Sequence, residues 1–498
     1  MPYIVTILCA LAMSNAFAPE GFPFLGWFVL APWLVILARS AHPFRLALLF
    51  GFFYHGSLLY WVGGIFSEHA LESQWFGIPA VALLSFYLAL YIAIWGWRAA
   101  KVLQKPTVWS GLELAAWGVV AEVSRGVLFT GFPWLSFGYS LSTYEIAVPL
   151  LQHGGIWLLD FLVLFVNITL ALCWLRPHFS VLVRHAFFVA LLLGFSLWQL
   201  HMVTPPAEPE RSIPVRIVQG NIDQHVKWDA EYATHNLNRY LTLSRQGGWR
   251  GGLLVWPESS LPFFWSSHDP LKDDVLRLVQ ESGSDLVTGV LSAYTDMTTR
   301  YYNSVMLLEH TGSTPQFYHK QHLVPFGEYT PLKESLLPFV EKFVVGEDYS
   351  AGHSSAPLLS RFGKIGTFIC YESIFPAAVA LIAAEADFLV NVTNDAWLGD
   401  TLGPLQHWLM ARARAIENGK YLIRSTNTGI TSVFTPRGEE IALIGWNQAG
   451  YVDTFIAPIS TPTWFTSYPW VVPAAGGLIA MLAMVLGISN NRKPRSYH

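Results

Sequence analysis

The sequence predicts a polytopic α-helical membrane domain of about eight spans, combined with one α/β layered domain outside the bilayer. Three observations lead there. Of the 498 residues, 53% are hydrophobic and 13% charged, and the mean hydropathy is +0.38, so much of the chain must sit in lipid. The apolar residues gather into runs of span length towards the two ends of the chain. Between them, from Pro214 to about Pro458, the composition is that of an ordinary globular domain.

A helix needs roughly 20 apolar residues to cross the hydrocarbon core. Seven candidates precede residue 205: Tyr3 to Phe17, Phe22 to Ala38, Leu46 to Ile65, Phe76 to Trp97, Val108 to Leu128, Gly154 to Leu175 and Leu182 to Val203. An eighth covers Trp470 to Ile488. The Pro- and Glu-rich stretch Pro205 to Glu210 marks a boundary. The expected domains are therefore a membrane domain over 1–204, an outer domain over 214–458, a last span over 468–489 and a tail over 490–498.

Lys and Arg near span ends stay on the cytoplasmic side. Arg39 and Arg45 follow span two, Arg98, Lys101 and Lys105 span four, Arg176 and Arg184 span six, and Arg492, Lys493 and Arg495 span eight. The loops after spans one and three carry no Lys or Arg. This alternation places the 214–458 domain on the extracytoplasmic face. Glu113, Glu122 and Asp160 fall within spans, where ionisable groups mark either a functional path or a polar bundle interior. Helix ends or a polar bundle interior are the expected reading. The rings of Phe129, Phe132, Trp134, Phe137 and Tyr139 are expected at the outer interface, where aromatic side chains favour the headgroup level.

Inside the outer domain, short apolar runs alternate with amphipathic stretches. Strands are expected at Val215 to Val218, Leu253 to Trp256, Leu286 to Val290, Ser304 to Leu308, Ile365 to Ile369, Phe388 to Val392, Leu422 to Ser425 and Thr431 to Phe434. Helices are expected at Tyr232 to Ser244, Leu271 to Glu281, Phe375 to Glu385 and Leu405 to Asn418. Such alternation implies a layered α/β sheet, whose sites gather at strand ends.

Three of those strand ends or adjoining loops carry reactive groups: Trp256-Pro257-Glu258, then Lys320 through Glu328, then Cys370-Tyr371-Glu372. Of the three cysteines, Cys9 and Cys173 lie in apolar spans, and Cys370 stands alone in the polar domain. A lone cysteine at the end of an apolar strand is more often packing than nucleophile, and a lone lysine is more often surface. The three motifs together reverse that balance. A thiol with an ordinary pKa of about 8.5 needs a base or a neighbouring cation to react near neutrality. Glu258 can be the base and Lys320 the cation. Lys320, with a backbone N–H near Tyr371, can also hold a tetrahedral oxyanion.

These motifs resemble the Glu-Lys-Cys triad of the nitrilase superfamily, and the membrane branch formed by the apolipoprotein N-acyltransferases in particular. The resemblance covers nearly the whole chain and implies an αββα nitrilase-like fold for the outer domain. It also implies that Glu258 is the general base, Lys320 the oxyanion stabiliser and Cys370 the nucleophile. Trp228, Glu328, Tyr371 and Glu372 would then shape or support the substrate pocket. The implied reaction is ping-pong. Cys370 takes an acyl group from a membrane phospholipid as a thioester and passes it to the α-amine of a diacylated apolipoprotein. The implied setting is the inner membrane of a bacterium with two membranes, with the catalytic domain periplasmic.

No cofactor is expected, and neither CxxC nor HExxH occurs to suggest a metal site. A net charge of -4 with dispersed Lys and Arg argues against nucleic acid as a partner. A monomer is expected, because spans at both ends tether the outer domain. The alternatives are a membrane-tethered amide hydrolase with the same triad and a binding protein that borrowed the fold. Eight spans argue against the first and an intact triad against the second.

Overall fold

A computed structural model of the chain describes residues 1–17, 21–69, 77–107, 109–176, 179–202, 212–227, 229–295, 298–331 and 348–489. Trp228, the Pro205 to Glu210 stretch, the span ends at Phe76, Val108 and Val203, and the basic tail with Arg492, Lys493 and Arg495 lie outside the described residues. The chain forms two compact units. One comprises Met1–Tyr60, Val81–Val203 and Tyr468–His498, and the other Trp61–Ala80 and Thr204–Ser467.

The first unit is helical. Among the described residues, Gly77–Gln104, Glu145–Leu175 and Leu182–His201 are long and apolar enough to cross a membrane, and Pro2–Ser14, Pro23–Arg39 and Val471–Val485 are shorter apolar helices. The stretch expected as the third span is broken after the helix Pro43–Leu58, and a separate helix, Val62–His69, groups with the second unit. Buried polar side chains hold the irregular backbone of the first unit, as a bundle with little water requires. Arg125 pairs with Glu122 and donates to the carbonyls of Phe132 and Trp134 at 2.8 and 3.0 Å. Asp160 accepts the Gly138 N–H at 2.6 Å, and Glu113 pairs with Arg98 at 2.5 Å. These acids have local structural partners, with Glu122 and Asp160 in a polar bundle interior and Glu113 in the first turn of the helix Ser110–Val127. The aromatic segment departs from expectation. Phe129 is 85% exposed, but Trp134, Phe137 and Tyr139 are buried and Phe132 is half-buried, because those same ties fold residues 132–139 back onto the helices.

The second unit contains two six-stranded sheets. The first runs in the order β12-β1-β2-β3-β4-β5, with β1 Ile213–Gln219, β2 Leu253–Val255, β3 Asp285–Thr295, β4 Thr299–Leu308, β5 Gln316–His319 and β12 Gly450–Ile456. The second runs β11-β10-β9-β8-β7-β6, with β6 Leu358–Ser360, β7 Gly363–Ile369, β8 Phe388–Thr393, β9 Leu422–Thr426, β10 Thr431–Phe434 and β11 Glu440–Ile444. Alternate side chains point to opposite faces of a strand, and this sorts the core. Val215, Ile217, Leu253 and Val255 join Ile365, Phe368 and Leu389 of the second sheet in one cluster. Val218, Leu254 and Trp256 face the other way, onto Leu237, Tyr240, Val275 and Leu278 of the helices Ala233–Arg245 and Leu271–Ser282. Ala411 and Ala415, from the helix Gly403–Asn418, cover the second sheet. The result is the helix-sheet-sheet-helix layering.

Strands β1, β2 and β3 are mutually parallel, as are β7, β8 and β9. Two antiparallel steps, β3 to β4 and β4 to β5, return β5 to the direction of β3. The carboxyl ends of β2 and β5 therefore lie on the same edge of their sheet, the usual place for a site in such a fold.

Candidate active site

Glu258 is delivered by the chain leaving β2. The parallel pairing with β3 continues past the strand, where the Trp256 N–H donates to the Val287 carbonyl at 2.9 Å and the Gly289 N–H to the Pro257 carbonyl at 3.1 Å. Gly289 is required there. A Cβ on it would lie 2.4 Å from both Glu258 Cα and the Ser259 nitrogen, and these are backbone atoms with little freedom to yield. Gly289→Ala is expected to lower stability by about 1–3 kcal/mol and turnover by roughly 100-fold through displacement of Glu258. Thermal unfolding and turnover of the purified variant check this, and wild-type turnover would refute the dependence on Glu258 placement.

The Glu258 side chain is buried, at 6% exposure. Its Oε1 accepts Nδ2 of Asn303 at 2.7 Å, while Oε2 has no hydrogen-bond partner among the described residues. Lys320 follows β5 and is 1% exposed. Its Nζ lies 2.8 Å from Glu328 Oε1 and 3.9 Å from Glu258 Oε1. Asn303 also donates to Glu328 at 2.8 Å, bridging the two carboxylates, and Glu328 Oε2 accepts the Val324 N–H at 2.8 Å. Burial pushes the Lys320 ammonium down, but Glu328, Glu258 and Cys370 more than offset it, so Lys320 is held firmly protonated.

Cys370 begins the short 3-10 turn Cys370–Ile374 after β7, with φ at +46°. A non-glycine residue in this left-handed region is strained, and such strain is kept where surrounding contacts fix it. Glu372 supplies several. Its Oε2 accepts the Ile369 N–H at 2.6 Å, and its Oε1 accepts the N–H groups of Gln321 and His322 at 2.7 and 3.2 Å and the Tyr318 hydroxyl at 2.9 Å. Glu372 thus ties the Cys370 turn to the loop that follows Lys320. Tyr371 is buried and meets Phe375 edge to face at 5.2 Å. Burial, and after it the charge of Glu258, push the Cys370 thiol up to about 12, against the opposing pull of Lys320. The thiol is therefore protonated at neutral pH, and attack requires a base.

A second buried network lies under Cys370 and was not foreseen. His407 Nε2 is 3.0 Å from the Cys370 carbonyl and 2.7 Å from the Ser373 hydroxyl. His407 Nδ1 is 2.7 Å from Asp395 Oδ1, and Arg424 donates to Asp395 Oδ2 at 2.7 Å and to Asn391 at 2.6 Å. Cys370, Asp395 and His407 offer ligand atoms within 4.8 Å of one another. A dication fits this set poorly, because the Arg424 guanidinium already occupies Asp395 and lies 3.2 Å from His407 Nδ1. The network instead supports the turn. Its sequence signal is polar residues in fully buried strands: Asn391 and Thr393 in the otherwise apolar β8, and Arg424 in β9.

The structure thus brings buried Glu258 and Lys320 together with the half-buried Glu328 and Cys370 in one site, and places Glu372 beside it as a clamp.

Comparison with known proteins sets this geometry in context. Residues 214–464 match the carbon-nitrogen hydrolase family, and residues 9–169 match the apolipoprotein N-acyltransferase N-terminal domain. The chain is similar to an apolipoprotein N-acyltransferase of Geobacter metallireducens, 32% identical over 97% of this chain and 95% of the relative. It is also similar to those of Nitrosomonas europaea, 33% identical with 87% of each chain covered, and Vibrio cholerae, 32% identical with 93% of each covered.

Proposed function

The chain belongs to the apolipoprotein N-acyltransferase family, an acyltransferase of lipoprotein maturation, and from its site we propose a ping-pong transfer through a thioester at Cys370. The observation that carries this reading is the buried pair of Glu258, whose Oε2 has no hydrogen-bond partner among the described residues, and Lys320, beside the partly buried thiol of Cys370.

In the first half-reaction Glu258 takes the thiol proton and the sulfur attacks an ester carbonyl of a membrane phospholipid. Lys320 and a backbone N–H of the Cys370 turn hold the oxyanion. Collapse breaks the ester bond, and the departing glycerol oxygen takes the proton from Glu258 and leaves as a lysophospholipid. In the second half the α-amine of the diacylglyceryl cysteine attacks the thioester carbonyl. Glu258 takes the amine proton and returns it to the departing sulfur, restoring Cys370. Cover of the partly buried thioester by the bound lipid chains keeps water away and separates transfer from hydrolysis. Glu328 and Glu372 hold Lys320 and its loop, Tyr371 borders the pocket, and Trp228 contributes to substrate binding.

The chain crosses the bacterial inner membrane eight times as a monomer, with the catalytic unit periplasmic. The alternation of Lys and Arg between the loops supports this orientation, and both substrates then reach the site from the bilayer.

The test is mass spectrometry of the Cys370 peptide after incubation of the protein in liposomes. The expected result is a fatty acyl adduct that a diacylated lipopeptide with a free amine removes. Absence of the adduct, or its discharge by water as fast as by the lipopeptide, would favour a tethered hydrolase.

A further inference from the structure

One charged side chain of the site remains unassigned. Lys227 lies in the segment after β1, which neighbouring polar groups pin in place. Asn427 accepts the Ile222 N–H at 2.9 Å and donates to its carbonyl at 2.8 Å. Asn394 donates to Gln224 at 2.8 Å, and Asn236 to the Val226 carbonyl at 3.2 Å. These ties deliver Lys227 into the interior, where it is 4% exposed and its Nζ donates to the backbone carbonyl of Glu258 at 3.0 Å.

A buried ammonium is costly unless it balances charge or makes hydrogen bonds. Without it, two carboxylates, Glu258 and Glu328, share the single ammonium of Lys320, so acidic groups outnumber cations there by one. Lys227 supplies the missing positive charge. Its ammonium interacts with both Glu258 and Cys370.

We infer that Lys227 is a positioning residue and counter-charge of this site: its hydrogen bond fixes the Glu258 backbone, and its charge stabilises the thiolate that Cys370 forms on attack. This inference rests on Cys370 being the nucleophile. The other charged and titratable groups acting on Cys370 and its immediate partners include Glu258, Lys320, Glu328, Tyr349, Glu372 and Asp395, with His407 at the Cys370 carbonyl. Burial pulls the Lys227 ammonium down to about 8, against the opposing charges of Glu258 and Cys370. Its charge is therefore present at neutral pH and is lost in mildly alkaline solution.

The test is alkylation of Cys370 by iodoacetamide in the full-length protein in detergent, followed across pH by mass spectrometry of the Cys370 peptide. Lys227→Gln keeps a donor for the Glu258 carbonyl but removes the charge. It is expected to slow alkylation about tenfold at pH 7, since removing a nearby cation disfavours the thiolate, and to converge with wild type above about pH 8, where the wild-type ammonium has lost its charge. Lys227→Arg keeps the charge and is expected to stay within about threefold of wild type. A Gln variant with the wild-type profile, or a folded Arg variant as slow as Gln, overturns the counter-charge. If the Gln variant does not fold, the Arg variant decides alone. No acyl donor enters this assay, so failure here is distinct from failure of lipid transfer.

Discussion

Glu258→Gln is expected to slow acylation of Cys370 by about 10³-fold or more, even though it makes the thiol easier to ionise. The sign follows from the two effects of this side chain. Its negative charge is, after burial, the largest cause holding the Cys370 thiol up to about 12. Removing that charge lowers the pH at which the thiol ionises without help. Yet at pH 7 the thiol stays largely protonated, and the proton acceptor has gone. Gln retains an oxygen for the Asn303 amide, which reaches Oε1 at 2.7 Å in the native site, so local structure is kept. What it loses is the basic second oxygen, Oε2, which is buried and without a hydrogen-bond partner among the described residues. If Glu258 acted through charge alone, the variant would acylate faster than wild type at pH 7. Stopped acylation reactions between pH 6 and 10, read by intact mass, separate the two, and a faster variant would remove Glu258 as the base.

The part of the fold legible in the sequence was its interior. Every strand expected from apolar runs is present, and the four that escaped, β5, β6, β11 and β12, are the four sheet edges. An edge strand pairs on one side only and keeps part of its surface in water, so it need not carry an apolar run. β12, Gly-Tyr-Val-Asp-Thr-Phe-Ile, has one buried residue in seven, and β6 is three residues long. The site divides in the same way. Glu258, Lys320 and Cys370 stand in local motifs that name a chemistry. Asn303, Asp395, His407 and Arg424 do not, because each acts through a partner distant in sequence. Arg424 meets Asp395 from 29 residues away, and Asn303 joins Glu258 to Glu328 across 45 and 25 residues. Pairing of that kind becomes visible only once strands β4, β8 and β9 are in place. Glu372 shows the remaining gap. Its motif marked it as important, but its work is to clamp backbone N–H groups of two loops, which no residue type announces.

Asp395→Ala is expected to cost about 3–5 kcal/mol of stability in the catalytic unit, because it strands the buried Arg424 guanidinium without its anion. Both side chains are fully buried, and the carboxylate also holds His407 at 2.7 Å. For a unit of this size the loss corresponds to a fall of about 10 °C in the midpoint of thermal unfolding. Burial raises the Asp395 carboxyl, but Arg424 and then His407 overcome it and leave it below its usual value. The pair therefore contributes stability above the ordinary aspartate range, about 3.9, and loses it as pH falls through the lower folded value. The deficit of the variant should persist across neutral pH. A double variant, Asp395→Leu with Arg424→Met, replaces the ion pair by apolar groups and is expected to recover most of the midpoint, since such replacements are often neutral or stabilising. It is not expected to recover the reactivity of Cys370, because His407 would lose the carboxylate that orients it towards the Cys370 carbonyl at 3.0 Å. Thermal unfolding and Cys370 alkylation of both variants make the separation measurable. If the double variant regained stability and alkylation together, the network would serve the fold alone. If it regained stability without alkylation, the charged chain from Arg424 through Asp395 and His407 sets the geometry of the nucleophile.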